Sequence, residues 1–286
     1  LNELARETGY NFSNPDMLAT PKLTIPTETN DFINDVLQNT DPNLNVSRDQ
    51  FQEVLRIAER RFRLSEDNLI FATSFTWLQD TRENIFDKSW TRFRWKLASA
   101  GTILSGVSAL TNAEENENGN KEVGGVAYSQ YIKGEAEVIK HWTLFDNNVF
   151  ATRAFIGLAI PYGNSNSIPF TRSYFAGGTN DNRGWRAYSL GPGSTGGVLD
   201  FNEANFKLAF NGEYRYTILG AFKGAFFVDI GNIWNVADEL ADDPAYNFDG
   251  IQDLKELAVA SGFGLRYDFG FFVIRFDIGF KTHDPG

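Results

Sequence analysis

Hydrophobic and polar residues alternate with a period of two over much of the chain. Between Phe206 and Tyr216, the residues Phe206, Leu208, Phe210, Gly212, Tyr214 and Tyr216 occupy one parity. Lys207, Ala209, Asn211, Glu213 and Arg215 occupy the other. The run Phe222–Ile230 is apolar on one face and mixed on the other. Leu257–Asp268 sets Leu257, Val259, Phe263, Leu265 and Tyr267 against Ala258, Ala260, Gly262, Gly264, Arg266 and Asp268. Phe272, Ile274, Phe276, Ile278 and Phe280 oppose Val273, Arg275, Asp277 and Gly279. Successive side chains of a strand point to opposite faces, so these runs predict strands between two different environments. Four more strands are predicted at Leu69–Leu78, Trp90 to about Val107, Gln130–Trp142 and Asn147–Ile160, giving about eight. In the third of these, Lys133, Glu135 and Glu137 share a face opposite Ile132, Gly134, Ala136 and Val138.

A soluble antiparallel sheet also alternates, but three features favour a transmembrane β-barrel. The mixed face combines small Gly and Ala with isolated charges, as a lumen wall does. The runs last about 10 residues, the span of a tilted strand across a bilayer. Aromatics gather near strand ends (Trp77, Trp90, Trp142, Trp234, Tyr216, Tyr267), as in the girdles of such barrels. The 26 phenylalanines, unusual in an acidic chain of net charge −11, then lie largely on a lipid-facing parity. The predicted fold class is an all-β transmembrane antiparallel barrel.

The predicted links alternate: 81–89, 143–146, 218–221 and 269–271 are short, whereas 109–127, 161–204 and 235–255 are long. Outer-membrane barrels have short periplasmic turns and long external loops. Residues 1–66 accordingly read as an external loop region with one surface helix, starting at Ser47 and running to about Arg63. Residues 67–286 read as barrel, with an inward-folding loop at 161–204. Eight strands close around side chains alone, yet charges line the inner parity and this loop needs room. A wider barrel is therefore expected, with strands beyond this chain and with Lys281–Gly286 as a loop. The start at Leu1, lacking a basic and an apolar segment, reads as a chain whose export signal is gone.

Composition narrows the chemistry. An acidic balance argues against a nucleic-acid partner. The absence of cysteine removes thiolate chemistry and cysteine zinc sites. Two distant histidines, His141 and His283, offer no metal or triad set, so neither catalytic residues, cofactor nor metal is expected. Gly191–Gly197 lacks the Lys and helix of a phosphate loop. Asp238, Glu239, Asp242 and Asp243 read as a solvated acidic loop without EF-hand spacing. Asp80, Arg82 and Glu83 read as turn charges.

The specific signal is Arg172–Trp185, in which Tyr174-Phe175-Ala176-Gly177-Gly178 leads to Arg183-Gly184-Trp185. Gly177, Gly178 and Gly184 permit turns that a Cβ forbids, and Arg183 offers a rigid fork suited to carboxylates. Parity turns Glu213 and Asp229 to the lumen. The motif resembles the long sixth loop of the BamA/TamA superfamily of outer-membrane assembly translocases. Its continuation Arg186–Gly193 looks like the Bacteroidota TamA-like branch. The resemblance extends through Phe226–Trp234, Gly262–Arg266 and Ile274–Asp277. Asp181 and Asn182 depart from it, standing where the family usually has Ser and then Val or Ile, and Trp185 replaces Phe or Tyr.

The resemblance implies a sixteen-stranded barrel behind periplasmic POTRA domains, of which this chain is the second half. It implies that Arg183 folds into the barrel and pairs with Glu213 and Asp229 as a latch. The implied function is folding and inserting client outer-membrane proteins in the bacterial outer membrane, without being an enzyme. Implied partners are those clients, the lipid bilayer and periplasmic or lipoprotein accessory subunits. A secretion translocator of the same superfamily and a passive porin are the alternatives.

Overall fold

The computed structural model describes residues 1–286 apart from 14–19, 85, 112, 117–118, 146–147, 196–201 and 238–243, and apart from the side chains of 59, 62 and 63. Asp238, Glu239, Asp242, Asp243, Gly196 and Gly197 therefore lie outside the described residues. The chain divides into two compact units. One is Leu1–Glu66 and the other comprises Asp67–Val198 and Asn202–Gly286.

Among its described residues the first unit holds three helices where the pattern predicts one. They are α1 (Asn2–Glu7), α2 (Thr27–Gln38) and α3 (Arg48–Ser65). Ser47 starts α3 through a reciprocal box: its hydroxyl accepts from the Gln50 amide at 3.2 Å, and Gln50 Oε1 accepts from the Ser47 amide at 3.0 Å. Leu4, Ala5, Leu23, Phe32, Ile33, Val36 and Val54 form a buried cluster of their own. The expected surface helix thus turns one apolar face into a core. The first turn of α2 carries Glu28, whose carboxylate accepts from the backbone amides of Ser13 at 2.6 Å and Thr24 at 2.8 Å. Those two amides hold the Glu28 carboxyl down at about 2. A lowered folded value stabilises above the unfolded carboxyl value and is lost as pH falls toward the folded one. The chain segment around Ser13 and Thr24 is therefore expected to loosen between about pH 4.5 and about 2. Glu28→Gln should remove that dependence and raise hydrogen exchange of α2 at neutral pH, read by exchange mass spectrometry.

The second unit is a sheet of eight strands: β1 (Ala72–Asp80), β2 (Trp90–Ala100), β5 (Tyr131–Phe145), β6 (Asn148–Pro161), β7 (Phe206–Leu219), β8 (Phe222–Trp234), β9 (Ala258–Asp268) and β10 (Val273–His283). A small hairpin, β3 (Glu122–Val123) with β4 (Val126–Ala127), lies in the connection between β2 and β5. Every large strand pairs antiparallel with its neighbours in the order β1-β2-β5-β6-β7-β8-β9-β10. The sheet is not closed on itself, and β1 and β10 each have one neighbour.

Two boundaries differ from the expectation. The strand predicted to run from Trp90 to about Val107 stops at Ala100. Gly101 turns the backbone at φ +75°, and a helix, α4 (Thr102–Thr111), follows. A methyl on Gly101 would also overlap the Ser129 carbonyl oxygen. At the other end, Lys281, Thr282 and His283 continue β10, pairing against β9, instead of forming a loop.

The two faces have opposite characters. The outward parity presents Phe75, Trp95, Leu97, Ile156, Phe210, Phe226, Val228, Phe263, Leu265 and Phe276, all exposed. The inward parity carries the charges, and loop residues between Ile168 and Leu190 pack against it. Arg94 lies 3.4 Å from Glu135 and 3.3 Å from Glu137, and Arg153 lies 2.7 Å from Glu137. A wall that is apolar outside and charged inside is the arrangement of a transmembrane barrel.

Candidate functional site

The connection between β6 and β7 has its own scaffold before it reaches the wall. Tyr174 and Ala204 exchange backbone hydrogen bonds of 2.7 and 2.9 Å, and Ala176 bridges to Leu190. Ile168, Tyr174, Ala176, Trp185 and Leu190 join a buried cluster with Ala159, Ile233, Ala258 and Ala260 of the strands. The loop is therefore packed on the inner face like core. Between these braces the chain reverses at Gly177, φ +92°, and Gly178, φ +107°. The Gly178 amide donates to the Trp185 carbonyl at 2.9 Å, closing the tip around residues 179–184.

Gly184 has a different reason to be glycine from the turn its sequence suggested. Its φ is not positive; instead a Cβ there would stand 2.8 Å from the Ala260 Cβ on β9. Next to it, the Arg183 backbone lies over Gly279 of β10, where an added Cβ would meet the Arg183 carbonyl oxygen at 2.7 Å. Two small residues on adjacent strands thus admit the loop backbone. Gly184→Ala is expected to cost about 1–3 kcal/mol by overpacking. Adding Ala260→Gly should recover most of it, as measured by denaturant unfolding in micelles.

Arg183 ends in a carboxylate cage. Its Nε and Nη2 donate to the two Asp229 oxygens at 2.7 and 2.9 Å, a bidentate pair. Nη1 donates to Glu213 at 2.7 Å and to Asp277 at 3.1 Å. The Arg183 backbone amide also donates to Asp229 at 3.1 Å, and the guanidinium carbon lies 3.4 Å from the Phe227 ring centroid. Side-chain exposure is 9 % for Arg183, 8 % for Glu213 and 0 % for Asp229. Strand register creates the cage: Asn211 faces Asp229, Glu213 faces Phe227 and Asp277 faces Gly264 across three pairings. Other arginines also offset its carboxylates, among them Arg275, whose Nε is 3.2 Å from Asp277. Arg266 Nη2 is 2.9 Å from Glu213 and 3.3 Å from Asp277, and Arg215 donates to Glu213 at 2.5 Å. The Arg266 N–H vectors miss the ideal line, so this arginine supplies charge without a directed hydrogen bond.

The structure therefore brings together Arg183, Gly184, Trp185, Gly177, Gly178, Glu213 and Asp229, all singled out from the sequence. Asp277, Arg266, Arg215 and Asn211 were missed. They share the inward parity with Glu213 and Asp229, and an inventory of every charge on that parity would have found all but Asn211. The two residues just before Arg183 are also structural. Asp181 accepts the Gly177 amide at 2.9 Å and lies 2.9 Å from the Lys207 ammonium of β7. Asn182, buried, donates to the Ala258 carbonyl at 3.3 Å. Further along, buried Asn232 donates to the Gly193 carbonyl at 2.7 Å and the Glu256 carbonyl at 2.6 Å, tying the glycine-rich stretch to β8. The His141 ring lies 4.2 Å from the Trp90 ring at a tilt of 33°, and His283 contacts the Lys255 carbonyl at 3.3 Å, so the two histidines take part in separate contacts. Arg82 binds Asp80 at the end of β1.

A transmembrane β-barrel wall with a long loop clamped to its inner face through a buried arginine is the class these features define. A family model described as the Omp85 superfamily domain matches residues 6–286, and the chain belongs to that superfamily. Among solved structures, the fold is similar to BamA from Haemophilus ducreyi lacking POTRA domains 1–3, with a TM-score of 0.53 at 15 % identity. That match covers 74 % of this chain and 39 % of the other, so the chain spans well under half the length of that protein.

Proposed function

We propose that the protein to which this chain belongs folds and inserts client β-barrel proteins in the bacterial outer membrane. The observation that carries the proposal is the inward loop, clamped by Arg183 to Glu213, Asp229 and Asp277 on three strands. Such a clamp keeps one side of the barrel rigid while another side opens. The chemistry is non-covalent. In lipid an unpaired strand edge is costly because its N–H and C=O groups have no water to meet. An opened seam offers those groups to a client strand, which pairs by β-augmentation. This chain supplies the lipid-facing wall and the clamp, and the seam strands belong to the rest of a sixteen-stranded barrel. Clients, the bilayer and periplasmic or lipoprotein accessory subunits are the proposed partners.

Depletion tests this reading. Quantitative proteomics of the outer membrane should find several unrelated β-barrel proteins reduced together as the protein is withdrawn. Normal levels of all of them, with loss of one secreted substrate, would instead identify a secretion translocator. Normal levels with only a fall in ion conductance would identify a porin.

A further inference from the structure

The helix α4 follows β2 after the single turn at Gly101, at the sheet end that carries the long connections. Its ten residues, Thr-Ile-Leu-Ser-Gly-Val-Ser-Ala-Leu-Thr, include no charge. Ile103, Val107 and Leu110 recur at helical spacing, and these residues are 56 %, 40 % and 87 % exposed. An aqueous loop helix would carry charge on such a face, and an uncovered apolar stripe marks an interaction surface.

Its polar side is already engaged by protein. Thr102 Oγ1 hydrogen-bonds with Ser99 Oγ at 2.8 Å and with the Tyr162 hydroxyl at 3.0 Å. Ser99 and Tyr162 stand on the outward parity of β2 and just past β6, the parity of Leu97 and Ile160. Buried Ser108 bonds with the Tyr128 hydroxyl at 3.0 Å. These bonds hold the helix to the outer side of the wall at its rim. There its stripe continues the exposed apolar belt of Phe71, Phe75, Trp95 and Leu97, and Gly101 donates to the Phe71 carbonyl at 3.0 Å.

We propose that α4 is an interfacial membrane helix, with Ile103, Val107 and Leu110 immersed in the acyl-chain boundary of the leaflet next to the rim. The occupant of this face is lipid because the face is continuous with the lipid-facing surface of the strands. Amphipathic helices at such depth lie in the plane of the interface. Most use basic residues to hold the headgroups; α4 replaces that attraction with hydrogen bonds to the barrel. The helix would fix the depth of the β1–β2 side of the wall in the bilayer.

The absence of cysteine from this chain gives a direct test in the full-length protein, reconstituted in phospholipid vesicles with any cysteine elsewhere changed to serine. Nitroxide labels are placed at Val107→Cys, Leu110→Cys and, as an aqueous reference, Glu115→Cys. Relaxation is measured with oxygen, which concentrates in the bilayer, and with a water-soluble nickel chelate. The expected result is oxygen access above nickel access at 107 and 110, and the reverse at 115. Introducing Ile103→Asp with the label at 107 should raise nickel access to the level of position 115. Nickel access above oxygen at 107 and 110 would overturn the proposal, because the helix would then lie in water. Low access to both reagents would overturn it too, because the face would then be covered by protein. No change on Ile103→Asp would equally contradict it. None of these outcomes depends on client insertion, so they leave the proposed assembly role separately testable.

Discussion

Replacing Arg183 with alanine is expected to free the loop tip from the wall at a cost of about 3–5 kcal/mol, the penalty for stripping a buried charge of its partner. The loss falls unevenly over the three carboxylates. Glu213 keeps Arg215 and Arg266 nearby. Asp229, fully buried, keeps among the described residues the residue-183 amide and the Asn211 side chain, which donates at 2.8 Å. Asp229→Asn in the Arg183→Ala background should therefore restore part of the stability, and the double-mutant cycle isolates the pair. Arg183→Lys should fall between wild type and alanine, since an ammonium keeps the charge but cannot span both Asp229 oxygens. Urea unfolding in micelles, followed by the gel shift between folded and heat-denatured barrel, measures all four variants. A wild-type midpoint for Arg183→Ala would remove the clamp from the account.

The second large effect concerns the outer face. Phe226, on the lipid-facing parity of β8, is 58 % exposed, its ring stacked on that of Tyr216 at 5.7 Å. Arginine there should destabilise the barrel in vesicles by about 2–4 kcal/mol if the site lies near the bilayer midplane. Lys223 sits on the opposite parity of the same strand and pairs with Asp268 at 2.9 Å, both partly exposed. Its replacement by alanine should cost under about 1 kcal/mol. In a soluble sheet the order would differ, because a surface Phe226→Arg change would be nearly neutral.

These two expectations draw on different levels of the sequence. Alternation in Phe206–Tyr216, Phe222–Ile230 and Phe272–Phe280 already fixes which residues face lipid, since a period of two leaves no freedom within a strand. Arg183, Glu213 and Asp229 were legible because a motif and strand parity each point to the lumen. Asp277 and Arg266 are also legible as charges of the inward parity, but their joining of the same cage is not, because only register brings β9 and β10 beside β8. The first half of α4 was absorbed into a predicted strand, since Thr-Ile-Leu-Ser carries β-branched residues and its helical bonds form only after the Gly101 turn. The core of the first unit was hidden for a similar reason. Leu4, Phe32 and Val54 lie far apart in sequence, and the one helix expected there, from Ser47, reads by itself as a surface helix. Asp181 and Asn182, departures from the motif, proved to be fastenings of the loop to β7 and β9.

The most direct test of the central claim is the folding rate of an unfolded client β-barrel added to vesicles, with and without the full-length protein in the bilayer. Client folding should be faster with the wild-type protein. Most of this acceleration should be lost with Arg183→Ala at equal amounts of inserted protein. Equal client folding rates in empty vesicles and in vesicles holding the wild-type protein would contradict it.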